Sequence, residues 1–493
     1  MLGAPAYAEP AMRILFSILF VLLPVLAQAA PADDVWMSVL LDGRKIGHMH
    51  TTRAIRDGSV ITSQKMEVEL DRAGVKVGLS TGETDAETMD GEPLAFTSRT
   101  AISGIASTVQ GTRRSDGRFD VVSEVGGAKS TRVIEWPQGA LLAEGQRLAE
   151  LRAGMNPGTH FSQLAFQVDS LDAVAVESTI GPRERLDLPD GGNAMLSRVD
   201  QVIHLPGAST RSQSWVDAEG DVRKTTLALM GFDLTMLACS RTCATAPNQG
   251  ADILVHALAQ APAAISRQEL RDGLILSVSA RSSGDPLQFA QTGEQRVRKT
   301  ANGVELRIAP IDTATANDTE TPPTPADSQP NDWLQSDAPE IRKLAREGAG
   351  DAKTPAARML ALQEFVRHFI RNKDLNVGYA SALEVAKHPE GDCTEHAVLL
   401  AALGRALGIP TRVVDGLAYT ERYAGRDHVF VPHAWAQAWV DGHWQSFDAA
   451  LPGFDAGHIA LSAGDGDPWR FFSGMDTLGR LRIDRIEAMQ ESE

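Results

Sequence analysis

From Val35 to about Pro310, apolar and polar residues alternate with a period of two, and turn residues rather than helical repeats interrupt the pattern. A period of two places successive side chains on opposite faces of a strand, and one apolar face with one polar face is typical of antiparallel sheets. The pattern therefore predicts a mostly antiparallel β region. Its clearest strand-like stretches are Met66 to Leu70, Val75 to Leu79, Phe119 to Val122, Thr131 to Trp136 and Leu274 to Val278.

Within this region the sequence indicates one helix and one internal boundary. The helix is predicted over Leu141 to Leu151, and the boundary lies near the stretch from Cys239 to Gly250. We therefore divide the region into a β-rich domain at 31–245 and a smaller β-rich segment at 246–311. No internal repeat of roughly 20 to 50 residues is visible, which argues against a propeller or a solenoid.

Charge and hydropathy exclude two classes of protein. The formal net charge is -17, from 64 acidic and 47 basic residues, and no local basic patch is present to attract a phosphate backbone. Nucleic acid is therefore not an expected partner. No second long apolar run follows the one near the N-terminus, so the chain is not a multi-span membrane protein.

The apolar run from Ile14 to Ala27 follows Arg13 and precedes the small residues Ala29 and Ala30. This order of basic, apolar and small residues is that of a secretory signal peptide. A retained membrane anchor is the alternative, but the run is shorter than the about 20 residues that a bilayer requires. We expect residues 1–30 to be removed, which predicts a periplasmic or secreted protein with no stable membrane span. In an oxidising compartment the spacing of Cys239 and Cys243 favours a small disulfide loop over two thiols.

Residues 312–332 contain four prolines and five acidic residues, with nothing large and apolar. Such a segment buries too little surface to offset its ordering entropy, so we predict a linker or a long exposed loop. The domain after it, at 333–493, holds five of the eight tryptophans and seven of the twelve histidines. Two helices are predicted at its start, near Pro339 to Glu347 and Pro355 to Arg371.

A capped helix is predicted to begin at Cys393. Asp392 is a suitable N-cap residue, Glu395 completes a capping box three residues later, and Gly408 ends the helix. At the first helical position, unpaired backbone N–H groups and the helix dipole favour a thiolate over a thiol. Asp392 and Glu395 oppose this effect, so a nucleophilic cysteine here still requires a histidine partner. A buried structural cysteine is the alternative interpretation.

A hairpin supplies that partner. Asp441-Gly442 predicts a two-residue turn, which pairs Val440 with His443 and continues until His433 lies diagonal to Asp448 on one face. Diagonal neighbours lie about 7 to 8 Å apart, within reach of a carboxylate–imidazole hydrogen bond. A register slip of one residue would send the two side chains to opposite faces.

Three sequence blocks together resemble the transglutaminase-like superfamily: Gly391 to Ala397 with Leu407 to Val414, then His433 to Trp444, then Phe447-Asp448. The resemblance covers about 333–493 and implies an α+β, papain-like domain after the β region, with Cys393, His433 and Asp448 at the family's catalytic Cys, His and Asp positions. It implies no cofactor. Two departures concern the hairpin: Gln437 stands where many relatives carry an acid, and Ala449-Ala450 replaces the more usual Pro-Thr.

These residues suggest acyl transfer or hydrolysis on peptide or protein amides through a Cys-His-Asp triad. A protein that binds peptides or serves envelope assembly without turnover is the first alternative, and a metal-dependent hydrolase using Cys393 with His396 and His433 is the second. The sequence has no paired-cysteine or His-Glu-x-x-His pattern, so no metal is expected. His396 is a less well-aimed base than His433, and we place it in a possible substrate groove with Trp435 and Gln437.

Overall fold

The computed structural model describes residues 33–72, 75–102, 105–189, 192–205, 208–217, 222–229, 231–252, 257–281, 286–310, 320–372, 379–467 and 477–489. The expected signal peptide therefore lies outside the described residues. The helices within them are α1 Ala143–Ala153, α2 Arg241–Ala244, α3 Arg267–Asp272, α4 Pro339–Ala349, α5 Pro355–Phe369, α6 Ala382–Lys387 and α7 Cys393–Ala406. None of these helices has both the length and the apolar character to cross a bilayer.

Strands make up most of the remaining described structure. They are β1 Asp33–Leu41, β2 Arg44–Arg56, β3 Ser59–Arg72, β4 Val75–Thr88, β5 Pro93–Ile102, β6 Ile105–Arg113, β7 Phe119–Val125, β8 Ala128–Ile134, β9 Ala140–Leu141, β10 His160–Gln167, β11 Asp172–Asp187, β12 Asn193–Leu205, β13 Ala208–Val216, β14 Val222–Leu229, β15 Phe232–Ala238, β16 Ala259–Gln260, β17 Leu274–Ala280, β18 Gln295–Thr300, β19 Gly303–Ile308, β20 Thr411–Tyr423, β21 Arg426–Val440, β22 His443–Phe447, β23 His458–Gly464 and β24 Leu481–Ala488.

The first fifteen strands form one large sheet in the order β8-β7-β6-β5-β4-β3-β2-β1-β15-β14-β13-β12-β11-β10-β9. Neighbouring strands are antiparallel except β9 and β10, which are parallel. The alternating sequence pattern explains this sheet, because its buried positions recur every second residue, as in Phe119, Val121 and Val125 of β7. Helix α1 packs on β3, β4, β9 and β10. The predicted antiparallel region and its helix are thus both present.

A disulfide joins Cys239 to Cys243 directly after β15, where the large sheet ends. The three residues between the two half-cystines include the start of α2, and the Ser240 side chain accepts a hydrogen bond from the Cys243 backbone. The cross-link therefore closes a short turn at the end of the sheet.

The C-terminal part combines helices with a second sheet. Helices α4, α5 and α6 pack around α7, and α7 lies directly against β20 and β21. These strands belong to a five-stranded sheet with the order β16-β21-β20-β23, in which β22 pairs with β21. Helix α7 is buried along nearly its whole length because its residues are almost all apolar or small. This part is α+β, whereas the chain as a whole is dominated by strands.

The smaller sheet differs from the division drawn from the sequence. Its order is β18-β19-β17-β24, so the segment that we assigned to 246–311 receives its last strand from residues 481–488. The Gln295 side chain also makes two hydrogen bonds with the Ala460 backbone: its Nε2 donates to the carbonyl at 2.7 Å, and its Oε1 accepts from the N–H group at 2.9 Å. Pairing between strands about 200 residues apart has no local sequence signal, which is why the boundary at 333 divided one packed unit.

The second half of the predicted linker also contacts the C-terminal part. The Trp444 indole donates to the Thr321 carbonyl at 2.9 Å, and Arg405 donates to the Gln329 carbonyl at 2.7 Å. Residues 320–332 are exposed or half-buried throughout, as expected of a long exposed loop, and two buried side chains of the C-terminal part bond to backbone carbonyls of this segment. Residues 312–319 of the predicted linker lie outside the described residues.

A fragment starting at Trp333 is expected to be much less stable than one starting at Ala246. The shorter fragment lacks the strand that pairs with β24 and the Gln295 amide that satisfies buried backbone groups, and each such lost bond costs about 1 to 3 kcal/mol. Thermal unfolding followed by circular dichroism should give a cooperative transition for 246–493 only. Equal melting temperatures for both fragments would show that the smaller sheet is a separate domain.

Candidate active site

Helix α7 begins at Cys393, as the capping pattern predicts. The Asp392 carboxylate accepts a hydrogen bond from the Thr394 backbone at 2.8 Å, and Glu395 accepts one from the Asp392 backbone at 2.9 Å. The second Glu395 oxygen accepts from the Ala380 backbone at 2.9 Å. Both carboxylates are buried, and both accept hydrogen bonds from backbone N–H groups at or near the start of the helix. Their role in capping the helix is therefore confirmed.

The hairpin also has the predicted register. Val440 pairs with His443 and Trp439 with Trp444, and the ladder continues to Ala436 and Phe447. Asp441 and Gly442 both adopt positive φ, 53° and 88°, which is the backbone of a type I′ turn. Because the turn matches the twist of the strands, the register that brings His433 and Asp448 to the same face is fixed locally.

His433 and Asp448 form a buried pair. Nε2 of His433 lies 2.7 Å from Oδ2 of Asp448, and neither side chain has any exposed surface. The other carboxylate oxygen accepts from the backbone N–H groups of Ala450 and Leu451 at 2.7 and 3.0 Å. This set of bonds fixes the carboxylate and, through it, the orientation of the imidazole.

A second histidine binds the same carboxylate. Nε2 of His458 lies 3.0 Å from Oδ2 of Asp448, and its Nδ1 lies 3.1 Å from Oδ1 of Asp455. Burial alone would raise the pKa of Asp448, but the charges and hydrogen bonds of His433 and His458 hold this pKa well below its ordinary value. Burial lowers the pKa of His458, and the bonds to Asp448 and Asp455 outweigh this and raise it to about 10. Asp448 is therefore ionised between two imidazoles.

The family model of the transglutaminase-like superfamily matches residues 342–449. This segment is a transglutaminase-like domain. The match spans α7 with Cys393 and the hairpin with His433 and Asp448, which are the elements that the sequence resemblance had used.

Three solved structures show similarity to the chain. A "putative cysteine protease" from Cytophaga hutchinsonii is 17% identical, with a TM-score of 0.26 over 40% of this chain and 78% of that one. A "putative protease" from Parabacteroides distasonis is 9% identical, with a TM-score of 0.20 over 75% and 68%. A beta-barrel-like protein of a domain of unknown function from Brucella abortus is 14% identical, with a TM-score of 0.34 over 44% and 97%. Among curated proteins, none matches this chain.

The side chains proposed for a substrate groove of the transglutaminase-like domain are buried instead. Trp435, Gln437 and His396 each have an exposed fraction of 1%. Trp435 and Gln437 both donate to the Ser446 hydroxyl, at 3.0 and 3.1 Å, so they hold the two strands of the hairpin together. Nδ1 of His396 is hydrogen-bonded to the carbonyl of Asp392 on its own helix. The expectation of a groove at these residues is corrected, because their polar atoms face internal partners.

An acid from the smaller β-rich segment lies beside Gln437. Glu294 accepts a hydrogen bond from the Ser446 backbone at 2.8 Å and a second from the Ser446 hydroxyl. Its other neighbour is the Gln437 amide, at 3.5 Å. Burial raises the pKa of Glu294 to about 7 despite these bonds. A buried acid from a neighbouring segment therefore lies near this position, although the hairpin itself carries a glutamine there.

Among groups of three histidine, cysteine or acidic side chains in the described part of the chain, one could share a metal ion: the ligand atoms of His433, Asp448 and His458 lie within 4.8 Å of one another. This group does not include Cys393 or His396, on which the metal-dependent alternative was based. The Nε2 atoms of His433 and His458 both lie at hydrogen-bond distance from Oδ2 of Asp448. Both imidazoles are therefore directed at the carboxylate and not at a point where all three could bind one ion. The geometry fits an oriented imidazole better than a metal site.

His458 is the residue at this site that sequence reasoning missed. It begins β23, which pairs with β20 and not with the hairpin that carries Asp448. A histidine ten residues after the acid has no periodic relation to it, and no local pattern reports that pairing. The sequence indicated a further histidine at the site only through the large number of histidines in this part of the chain.

Proposed function

We propose that the transglutaminase-like domain is a cysteine enzyme that transfers or hydrolyses the acyl group of peptide or protein amides. The observation that carries this proposal is the buried His433–Asp448 hydrogen bond of 2.7 Å, on a strand that packs against the helix beginning at Cys393. A carboxylate-oriented imidazole next to a helix that begins with cysteine is the arrangement of a nucleophile, a base and an orienting acid. The resemblance of the three sequence blocks supports the same roles.

The proposed chemistry starts with proton transfer. Because Nε2 of His433 is directed to Asp448, the Nδ1 atom is the one that would take the proton of the Cys393 thiol. The thiolate then attacks the amide carbonyl, and the imidazolium returns the proton to the departing ammonia or amine. The resulting thioester on Cys393 is resolved by water or by a second amine.

The start of α7 would contribute to stabilising the tetrahedral intermediate. Its first backbone N–H groups and the positive end of the helix dipole favour negative charge. The Thr394 N–H group already donates to the Asp392 side chain. The backbone N–H group of Cys393 is therefore our candidate donor to the oxyanion of the intermediate. Cys393 is fully buried, so a peptide reaches the thiol only after neighbouring side chains move.

The alternative proposal keeps the fold and omits turnover: the same domain would recognise a peptide for binding or envelope assembly. We also propose export to the periplasm or the medium, which the apolar run before the small residues Ala29 and Ala30 supports, and the disulfide between Cys239 and Cys243 is consistent with an oxidising compartment.

The test is capture of the covalent intermediate. The chain has three cysteines and two of them are disulfide-bonded, so a thiol reagent used without reductant reports on Cys393. Incubation with a glutamine-containing peptide library, acid quenching and mass spectrometry should give a thioester on the peptide containing Cys393. If neither a thioester nor labelling near neutral pH is found on folded protein, the binding alternative replaces the enzyme.

Replacement of His396 by Ala is expected to keep most of the activity. Its ring is bonded to the Asp392 carbonyl at the start of its own helix, so the change removes one buried hydrogen bond, worth about 1 kcal/mol, and no proton acceptor of the proposed reaction. Ammonia or amine release should stay within about tenfold of wild type. An inactive but folded His396→Ala protein, beside an active His433→Ala protein, would move the base to His396.

A further inference from the structure

A cavity of about 20 Å³ lies between the large sheet and the start of α1, far along the chain from Cys393. A site of about 10 to 15 Å³ already holds one water-sized guest, so this volume suits a single ion. Its lining includes Thr62, Gln64, Glu83, Asp85 and Asp169 and contains no lysine, arginine or histidine. The cavity therefore presents oxygen atoms with negative charge and no positive side chain.

Strand pairing explains why these side chains meet. Gln64 on β3 lies opposite Glu83 on β4, and Thr62 lies opposite Asp85, so all four side chains share one face. Ser98 on β5 lies opposite Glu83 and donates to the Asp169 carboxylate at 2.6 Å. Three adjacent strands and the segment after β10 thus converge on one point.

Two oxygen atoms at this point lack a hydrogen-bond donor. Gln64 is 6% exposed and Asp85 is 2% exposed. Within the described residues, neither Oε1 of Gln64 nor Oδ1 of Asp85 accepts a hydrogen bond. A buried oxygen without a donor costs about 1 to 3 kcal/mol, and more if it is charged. Either a cation or a water molecule that donates both of its hydrogens would satisfy such a pair of oxygens.

The nearby positive groups are used elsewhere. Arg53 and Arg147 both bind the Glu144 carboxylate, with Arg53 at 2.8 Å. The first backbone N–H groups of α1 are bonded to Glu87, at 2.6 and 2.9 Å, and to Asp85 through Ala143. These N–H groups donate hydrogen bonds to Glu87 and to one oxygen of Asp85, and Glu83 receives no hydrogen bond from them.

The electrostatics agree with the geometry. The Glu83 and Asp85 carboxyl groups are within hydrogen-bonding reach of each other. Two adjacent buried carboxylates repel each other, and either protons or a bound cation relieve this repulsion.

We propose that this cavity binds one Ca²⁺ ion through the side-chain oxygens of Gln64, Glu83 and Asp85. The donors are carboxylate and amide oxygens, which hard cations prefer, and no nitrogen or sulfur ligand of the kind that zinc selects is present. Ca²⁺ accepts irregular oxygen sets, whereas Mg²⁺ demands near-octahedral geometry and retains water. The ion would tie β3 and β4 to the start of α1 and so stabilise the large sheet, independently of the proposed enzyme activity.

The experiment uses the full chain after treatment with a chelator and dialysis. Calorimetric titration with CaCl₂ should show one saturable site, and a Ca²⁺ concentration of about 100 times the Kd should raise the Tm by several degrees. Mg²⁺ and Na⁺ at matched ionic strength should raise it less. Gln64→Met keeps the side-chain volume but removes the oxygen, so it should weaken Ca²⁺ binding by about tenfold or more.

Asp85→Asn should weaken binding further, and the exposed Glu124→Gln on β7 is the matched control that should leave the Kd unchanged. If Asp85→Asn fails to fold because Asp85 also bonds to the start of α1, Gln64→Met still decides the question. The proposal is overturned if folded wild type binds no Ca²⁺, if Na⁺ stabilises it equally, or if Gln64→Met binds as wild type does. The carboxyl pair would then share a proton.

Discussion

Replacement of Cys393 by Ala is expected to abolish release of ammonia or amine from glutamine-containing peptides. The variant loses the atom that would form the thioester, and no other described thiol outside the disulfide can replace it. The change removes one sulfur atom from a fully buried position, so we expect a loss of unfolding free energy of about 1 kcal/mol and an unchanged circular dichroism spectrum.

The matched control for this variant is Cys239→Ala with Cys243→Ala, which removes two sulfur atoms from a turn after the large sheet. It should lower the Tm and leave kcat/KM close to that of wild type. Wild-type turnover by folded Cys393→Ala protein would contradict covalent catalysis by this residue, and it would equally contradict the metal-dependent alternative that uses Cys393 as a ligand.

Replacement of His433 by Gln is expected to reduce kcat/KM by a factor on the order of 10³ or more, because the thiol then has no proton acceptor. The Gln amide can still donate to Asp448, so the buried carboxylate keeps a partner and the fold should be retained. Asp448→Asn should cost on the order of 10² to 10⁴, since it disturbs imidazole orientation without removing the base. Steady-state kinetics beside circular dichroism would measure both.

The activity of Asp448→Asn relative to wild type tests the proposed role of the acid most directly. If Asp448→Asn is folded and as active as wild type, the 2.7 Å bond to His433 is structural and does not orient a base. His458→Gln is a useful third variant, because His458 acts on the reaction only through Asp448. It should change the pH dependence of kcat/KM more than its maximum, whereas a residue that only packs would change the Tm alone.

The parts of the site that could be predicted from the sequence are those with local causes. The Asp392 cap and the Glu395 capping box lie within four residues of each other, and the Asp441-Gly442 turn sets the hairpin register by its own backbone preference. His433 and Asp448 then meet because both belong to that one hairpin. Alternation also predicted the large antiparallel sheet, since most of its strands pair with their neighbours in the chain; the pairing of β1 with β15 is the long-range exception.

The features that could not be predicted depend on contacts between distant segments. His458 reaches Asp448 from β23, and Glu294 reaches Ser446 across 152 residues. Trp435 is buried because its indole N–H donates to the Ser446 hydroxyl and its ring packs against Phe454 and His458. Periodicity reports which face of a strand is apolar, but it does not report which distant segment covers that face.

The pairing of β17 with β24 has a consequence for the order in which the chain matures. The large sheet is complete at Ala238, whereas the sheet that supports the transglutaminase-like domain lacks an edge until residues 481–488 are present. During synthesis, the large sheet can form before β24 is present, whereas the smaller sheet cannot. A chain interrupted before Leu481 would thus carry Cys393, His433 and Asp448 beside a smaller sheet that lacks one edge strand, and the arrival of β24 would help to determine when the proposed nucleophile becomes competent.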